Sequence, residues 1–228
     1  MTIHLQPTAP LAERVLLPGD PGRALLLAQS LLAEPRMFNH NRGLWGYTGQ
    51  AADGRPLTIQ STGMGGPSAA IVVAELAALG ATTVIRVGTC GALDESLALG
   101  QLLVATEALA ADGTSRALGA GDRVAASPGI VQRLVGAGDA RHGLVVSSDL
   151  FYDDEPGAEA RWRAAGALAV EMETATLFAL AQRRGLEAGS VLIVSDVLVP
   201  ERARMEPDAL REAEHRLGEL AFAALRDD

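Results

Sequence analysis

Short apolar runs alternate with longer segments of helical spacing along most of the chain. After an irregular arm at 1–13, residues 15–17 form a strand candidate that ends in Pro18-Gly19-Asp20-Pro21-Gly22, and 23–32 carry helical composition. Residues 46–50 and 56–61 read as two strands around an Asp53-Gly54 turn, a hairpin signal. A glycine-rich loop at 62–67 leads into an alanine-rich helix at 68–79. A buried strand at 82–87 is ended by Gly88-Thr89-Cys90-Gly91, and another strand is expected at 101–105. Residues 112–122 read as loop, and 127–135 as a helix with Ser127 as N-cap and Pro128 at its first position. A strand at 144–147, a loop at 149–153 and a helix at 159–165 follow. An apolar run at 167–170 then hands over to a helical segment at 175–181. The strand at 191–194 stops at Ser195-Asp196, and an amphipathic helix at 208–225 closes the chain. Without an internal repeat or a linker, the alternation argues one α/β sandwich spanning 1–228 with a mainly parallel sheet.

Composition narrows the class. At 228 residues the chain is long enough for one domain with a substantial core. A net charge of −9 disfavours nucleic acid and anionic membranes as partners. No apolar run spans a bilayer and no secretory signal pattern opens the chain, so the cytoplasm is the expected location. The single cysteine, Cys90, excludes an internal disulfide and a multi-cysteine zinc site. The histidines at 4, 40, 142 and 215 are scattered, so no protein-held metal is expected. All 19 basic residues are arginine. That rules out a lysine phosphate loop and Schiff-base chemistry, and leaves anion binding to guanidinium forks and backbone N–H groups.

Candidate chemistry lies where strands end. Glu171 and Glu173 sit at a strand-to-helix junction. A carboxylate there can cap the helix, and an ionised one can also accept from both hydroxyls of a vicinal diol. Gly19-Asp20-Pro21-Gly22-Arg23 and Gly63-Met64-Gly65-Gly66-Pro67-Ser68 bring backbone N–H groups close to a ligand. The second loop imitates a dinucleotide fingerprint, but the next strand end offers Arg86 where an acid would bind ribose. Arg86 interrupts an apolar strand. An internal salt bridge accounts for it, and so does a phosphate site shared with Thr89 and Arg23. Asp196 ends the most apolar strand, where it can cap the next element or act as a general acid.

Six segments occur in one order: Pro18-Gly19-Asp20-Pro21 with Arg23, Asn41-Arg42-Gly43, Gly63-Met64-Gly65 with Pro67-Ser68, Arg86-Val87-Gly88-Thr89-Cys90-Gly91, Glu171-Met172-Glu173 and Ser195-Asp196. Together they resemble the nucleoside phosphorylase family of the hexameric purine nucleoside and uridine phosphorylase type, over nearly the whole chain from His4 onward. The resemblance implies a single-domain, three-layer α/β/α sandwich with a mixed, mainly parallel sheet. It implies phosphorolysis with inorganic phosphate as co-substrate, no cofactor and no metal. It also implies a homo-oligomer, a hexamer, with sites shared between subunits. It assigns phosphate to Gly19, Arg23, Arg86 and Thr89, with Arg42 from a neighbouring subunit. Ribose falls to Met64, Met172 and Glu173, with His4 from the neighbour. The base falls to Cys90, Gly91, Phe151, Val170, Glu171 and Ser195. A core role for Phe151 remains open.

Under this resemblance Asp196 decides the base, because a protonated aspartate can reach the N7 of a purine, which a pyrimidine lacks. Uridine phosphorylases carry a Gln-x-Arg pair before the glutamate strand. Here Arg161-Trp162-Arg163 stands between Tyr152 and Val170, with no glutamine. Purine (deoxy)ribonucleosides are therefore the expected substrates, with uridine or 5′-methylthioadenosine as the alternative. The family's purine members pair this aspartate with an arginine near the last helix. Arg202, Arg204 and Arg211 are candidates, and Arg211 is the first choice. A nucleosidase has no use for the arginines at 23, 42 and 86, and a nucleoside-binding sensor has none for Asp196.

Overall fold

Strand β1 (Arg14–Leu17) runs into helix α1 (Pro21–Leu31), which Asp20 caps by accepting from the Arg23 amide at 2.9 Å. The computed structural model describes residues 2–152, 156–199 and 201–226. Asp153, at the end of the expected 149–153 loop, and Pro200 lie outside them. β2 (Leu32–Asn39), β3 (Gly46–Ala51) and β4 (Pro56–Gln60) follow as an antiparallel meander. Helix α2 (Gly66–Leu79) then leads into β5 (Thr83–Ala92), β6 (Leu102–Ala110), α3 (Gly113–Ala117), β7 (Arg123–Ala125), α4 (Pro128–Gly136) and β8 (Arg141–Ser147). The remaining elements are α5 (Ala158–Ala164), β9 (Ala169–Glu171), α6 (Thr174–Arg184), β10 (Glu187–Val197), β11 (Ala203–Arg204) and α7 (Pro207–Leu225).

Among the described residues all eleven strands join one mixed sheet. β4, β1, β5 and β10 are mutually parallel at its centre. β10 also pairs with β6, β6 with β8, β8 with β9 and β9 with β5, so these five strands close into a ring. Because the central strands run the same way, the loops after β1 and β4 and the ends of β5 and β10 gather at one edge. Ligands of open α/β sheets collect at that carboxyl edge.

Helices cover both faces, which makes three layers. On one side Leu27 of α1, Leu134 of α4 and Leu217 of α7 join a core with Ile85, Val87, Val191 and Ile193. On the other, Val72 and Leu76 of α2 and Phe178 of α6 join Val84, Leu103, Val145 and Leu192. Burial on both faces is why these strands read as continuous apolar runs.

Several elements differ from expectation. β5 does not stop at Val87 but continues through Gly88-Thr89-Cys90-Gly91 to Ala92, held by β10 along its length. β10 likewise continues past Asp196 to Val197, with a bulge between Val194 and Asp196. The expected 112–122 loop contains α3, capped by Asp112. Ser127 precedes α4, but its Oγ accepts from the Ala188 amide at 2.9 Å and ties the helix start to β10 instead of capping it.

Candidate active site

Arg86 is the hub of the carboxyl edge. Its Nε donates to Glu171 Oε2 at 2.9 Å, and its Nη2 lies 2.5 Å from Glu173 Oε2. All three side chains are buried. The guanidinium lies back across Gly88, where a Cβ would meet Arg86 Cζ at 2.7 Å. Burial alone would lower the pKa of Arg86, but Glu173 and Glu171 together hold it above its ordinary value. Burial pushes Glu173 upward, opposed by Arg86 and reinforced by Glu171.

The two glutamates divide the work of the junction. Glu171 accepts from the amides of Glu173 and Thr174, from Arg86 and from the Ser147 hydroxyl. It therefore caps α6, with both carboxylate oxygens taken up by protein donors. Glu173 is buried too, and accepts the Gly65 amide of the glycine loop as well as Arg86. Gly65 adopts φ 86°, a left-handed conformation suited to glycine, with its N–H on the carboxylate.

Arg23 joins from α1. Its Nε donates to Glu214 Oε1 of α7 at 2.7 Å and its Nη1 to the Val87 carbonyl at 3.3 Å. Gly19 sits against the glycine loop and Arg86: a Cβ there would be 3.2 Å from the Gly63 carbonyl and 4.0 Å from Arg86 Nη1. The Gly63 amide donates to the Gly19 carbonyl at 3.0 Å. Arg23, Arg86, Gly19 and the glycine loop thus form one cluster, with Thr89 half-buried further along β5. Arg42 is exposed in a 3-10 turn, Asn41–Gly43, with φ 59°. A non-glycine residue in this region bears a strain of about 1 kcal/mol.

The sheet brings the expected base-side residues together by register. Gly91 pairs with Val170 of β9 and with Asp196 of β10. Cys90 Sγ contacts the Ile193 carbonyl at 3.5 Å, and burial pushes its thiol pKa up. Ser195 Oγ donates to Asp196 Oδ2 at 2.7 Å. Asp196 faces Arg204 across the β10–β11 pair, with Nε 3.6 Å from Oδ1. Of the candidate arginines, Arg204 is the one the structure places beside Asp196, while Arg211 is exposed on α7. Phe151 is 61% exposed, which excludes a core role, and stacks edge-on with Tyr152. Met64 is exposed and Met172 half-buried at the same edge. His4 lies away from the Arg86 cluster, bonded to Glu75 of α2.

A profile of the phosphorylase superfamily matches residues 13–226. The chain belongs to the phosphorylase superfamily. Among relatives of this superfamily member, a purine nucleoside phosphorylase DeoD-type of Geobacillus kaustophilus is 39% identical over 220 residues, covering 90% of this chain and 91% of the relative. A protein of the same description from Caldanaerobacter subterraneus is 36% identical over 212 residues, covering 89% and 91%. A guanosine phosphorylase of Halorubrum lacusprofundi is 40% identical over 193 residues, covering 82% and 79%.

Sequence reasoning missed Glu214, Ser147 and Glu75 as partners of site residues. Each is a common residue type inside an unremarkable element, and only the tertiary pairing distinguishes it. No helix among the described residues is long and apolar enough to cross a membrane, and no cluster of His, Cys, Asp and Glu there could hold a metal ion.

Proposed function

We propose that this protein catalyses the reversible phosphorolysis of purine (deoxy)ribonucleosides to free purine base and (deoxy)ribose 1-phosphate. The observation that carries the reading is the Arg86–Glu173 bond. It couples a cation suited to phosphate with a carboxylate suited to the ribose diol, at the sheet edge that ends in Asp196. Relatives described as purine nucleoside and guanosine phosphorylases support the base class.

In this mechanism Arg23, Arg86, Gly19 and Thr89, with Arg42 of a neighbouring subunit, hold phosphate below the sugar. Glu173 accepts from the 2′- and 3′-hydroxyls, and Met64 and Met172 pack on the ribose. A phosphate oxygen attacks the anomeric carbon as the bond to the base breaks, and the bonding pair leaves with the base. The phosphate dianion stabilises the developing oxocarbenium charge. Protonated Asp196 gives its proton to N7, and Arg204 pairs with the carboxylate left behind. Cys90, Gly91, Val170 and Ser195 line the base, with Phe151 as a wall. Glu171 acts through Arg86 and the α6 amides as a positioning residue. The site needs no cofactor and works in a cytoplasmic homo-oligomer, a hexamer, that lends His4 and Arg42 across subunits. A fully active monomer would contradict the sharing of sites. Inorganic phosphate should raise the thermal midpoint of the free protein, since it binds the folded state; no phosphate-dependent shift would contradict the phosphate site.

A further inference from the structure

Glu75 projects from the middle of α2 and receives an unusual set of donors. Its Oε1 accepts from the Ile3 amide at 3.0 Å, the His4 amide at 3.1 Å and His4 Nδ1 at 3.0 Å. Its Oε2 accepts from the His4 amide at 3.1 Å and the Leu5 amide at 2.6 Å. Three successive backbone N–H groups thus converge on one carboxylate, with the imidazole as a fourth donor. The arm is pinned on both sides of this clamp: Leu5 is fully buried, and Asn41 Nδ2 donates to the His4 carbonyl at 2.9 Å. Ile3 nevertheless points outward at 73% exposure, and the His4 side chain keeps 29%.

This geometry sets the chemistry of the ring. With Nδ1–H donated to Glu75, the neutral imidazole carries its lone pair on Nε2, which becomes an acceptor. An acceptor fits a hydroxyl, which brings its own proton, and does not fit a thioether or a methyl group. On α2, Ile71 and Leu79 flank Glu75 one turn away on each side, and both are exposed at 40% and 37%. The clamp therefore sits on an outward face rather than inside the subunit.

We propose that Glu75 is the positioning residue of His4, fixing the arm and the Nε2-acceptor form of the ring so that the assembled enzyme prefers nucleosides with a free 5′-hydroxyl. The proposal rests on the reading of His4 given under Proposed function. It makes Glu75 a specificity determinant although it touches neither substrate nor phosphate. It also sets 5′-alkylthio nucleosides apart as poor substrates.

The test is steady-state phosphorolysis of inosine and 5′-deoxyinosine at saturating phosphate by the assembled wild type, Glu75→Gln, His4→Ala and the double variant. Sedimentation confirms assembly first. The wild type should prefer inosine. Each single variant should lose about tenfold in kcat/KM for inosine, chiefly through KM, with less than about twofold change for 5′-deoxyinosine. The double variant should be no worse than either single, because both remove one interaction. If Glu75→Gln does not assemble, Glu75→Asp, which keeps the charge but withdraws it, carries the same comparison. An equal loss on both substrates would reduce Glu75 to a structural role and overturn the proposal. So would an inosine preference that survives Glu75→Gln but not His4→Ala. A preference that survives His4→Ala overturns the reading of His4 itself, and phosphate-independent base release by the wild type overturns the phosphorolysis reading. These failures are therefore told apart.

Discussion

Arg204 stands opposite Asp196 in the β10–β11 ladder, its Nε 3.6 Å from the aspartate Oδ1. The arginine side chain is 72% exposed while the aspartate is 20% exposed, so the pair reaches from the site edge toward solvent. An exposed pair of this kind contributes little to stability. In the proposed mechanism its value lies in the charge left on Asp196 once the proton has moved to the base. Arg204→Gln should lower kcat for inosine about tenfold and leave the thermal midpoint within about a degree, whereas Arg211→Gln should change neither. Equal kcat values for wild type and Arg204→Gln would leave Asp196 working alone.

Asp196→Asn keeps the shape and the Ser195 contact but removes the proton that the proposed mechanism transfers. Turnover of purine nucleosides should fall by about 10²-fold or more, the usual range for a lost general acid. Phosphate-induced thermal stabilisation should persist, because Arg23 and Arg86 are untouched. An Asn variant that turns over at the wild-type rate would remove Asp196 from the mechanism.

Arg86 pairs with two buried glutamates and, in the proposed mechanism, also holds phosphate. Arg86→Ala leaves Glu171 and Glu173 buried beside each other without their cation. Breaking a buried pair in this way is destabilising by roughly 3–5 kcal/mol. The thermal midpoint should drop by several degrees, and the phosphate-dependent shift should vanish. Calorimetry with and without phosphate reads both, and a persistent phosphate shift would place the anion elsewhere.

Far from the site, Arg14 clamps Asp53 of the β3–β4 turn and the end of α7. Its Nη1 lies 2.5 Å from Asp53 Oδ2 and 3.2 Å from the Leu225 carbonyl, with Cζ 5.6 Å from the Phe222 ring centroid. The hydrogen bond to Arg14 outweighs burial and holds the Asp53 carboxyl down at about 2, against an ordinary 3.8. A depressed acid contributes stability that is full above its unfolded pKa and is lost as pH falls through its folded pKa. The Asp53 contribution should therefore disappear as pH falls from about 4 to about 2. Denaturant melts should show Asp53→Asn less stable than wild type at pH 7, with the gap closing by pH 2. A gap that stays constant would mean the effect is not ionic.

Much of the fold was legible because long apolar strands and capped helices leave periodic signals, as in residues 68–79 and 208–225. The end of β5 was not. Gly88-Thr89-Cys90-Gly91 has the composition of a turn, yet Gly88 is small because the Arg86 guanidinium lies over it. β2 was missed because Glu34, Pro35 and Arg36 interrupt its pattern, which an edge strand with bulges tolerates. β11 has two residues and no pattern at all, so the pairing that puts Arg204 rather than Arg211 beside Asp196 could only come from the fold. The Arg86–Glu173 pairing was hidden for another reason. Each residue announced itself as a charge in an apolar context, but their separation of 87 positions is closed only by the β5–β9 pairing and the cap of α6.

The most direct test of the account is release of free base from inosine, adenosine, 5′-methylthioadenosine and uridine, each with and without inorganic phosphate, followed by chromatography. The account predicts phosphate-dependent release of hypoxanthine and adenine from inosine and adenosine, with uridine inert. Uracil release, or purine release that does not need phosphate, would contradict it.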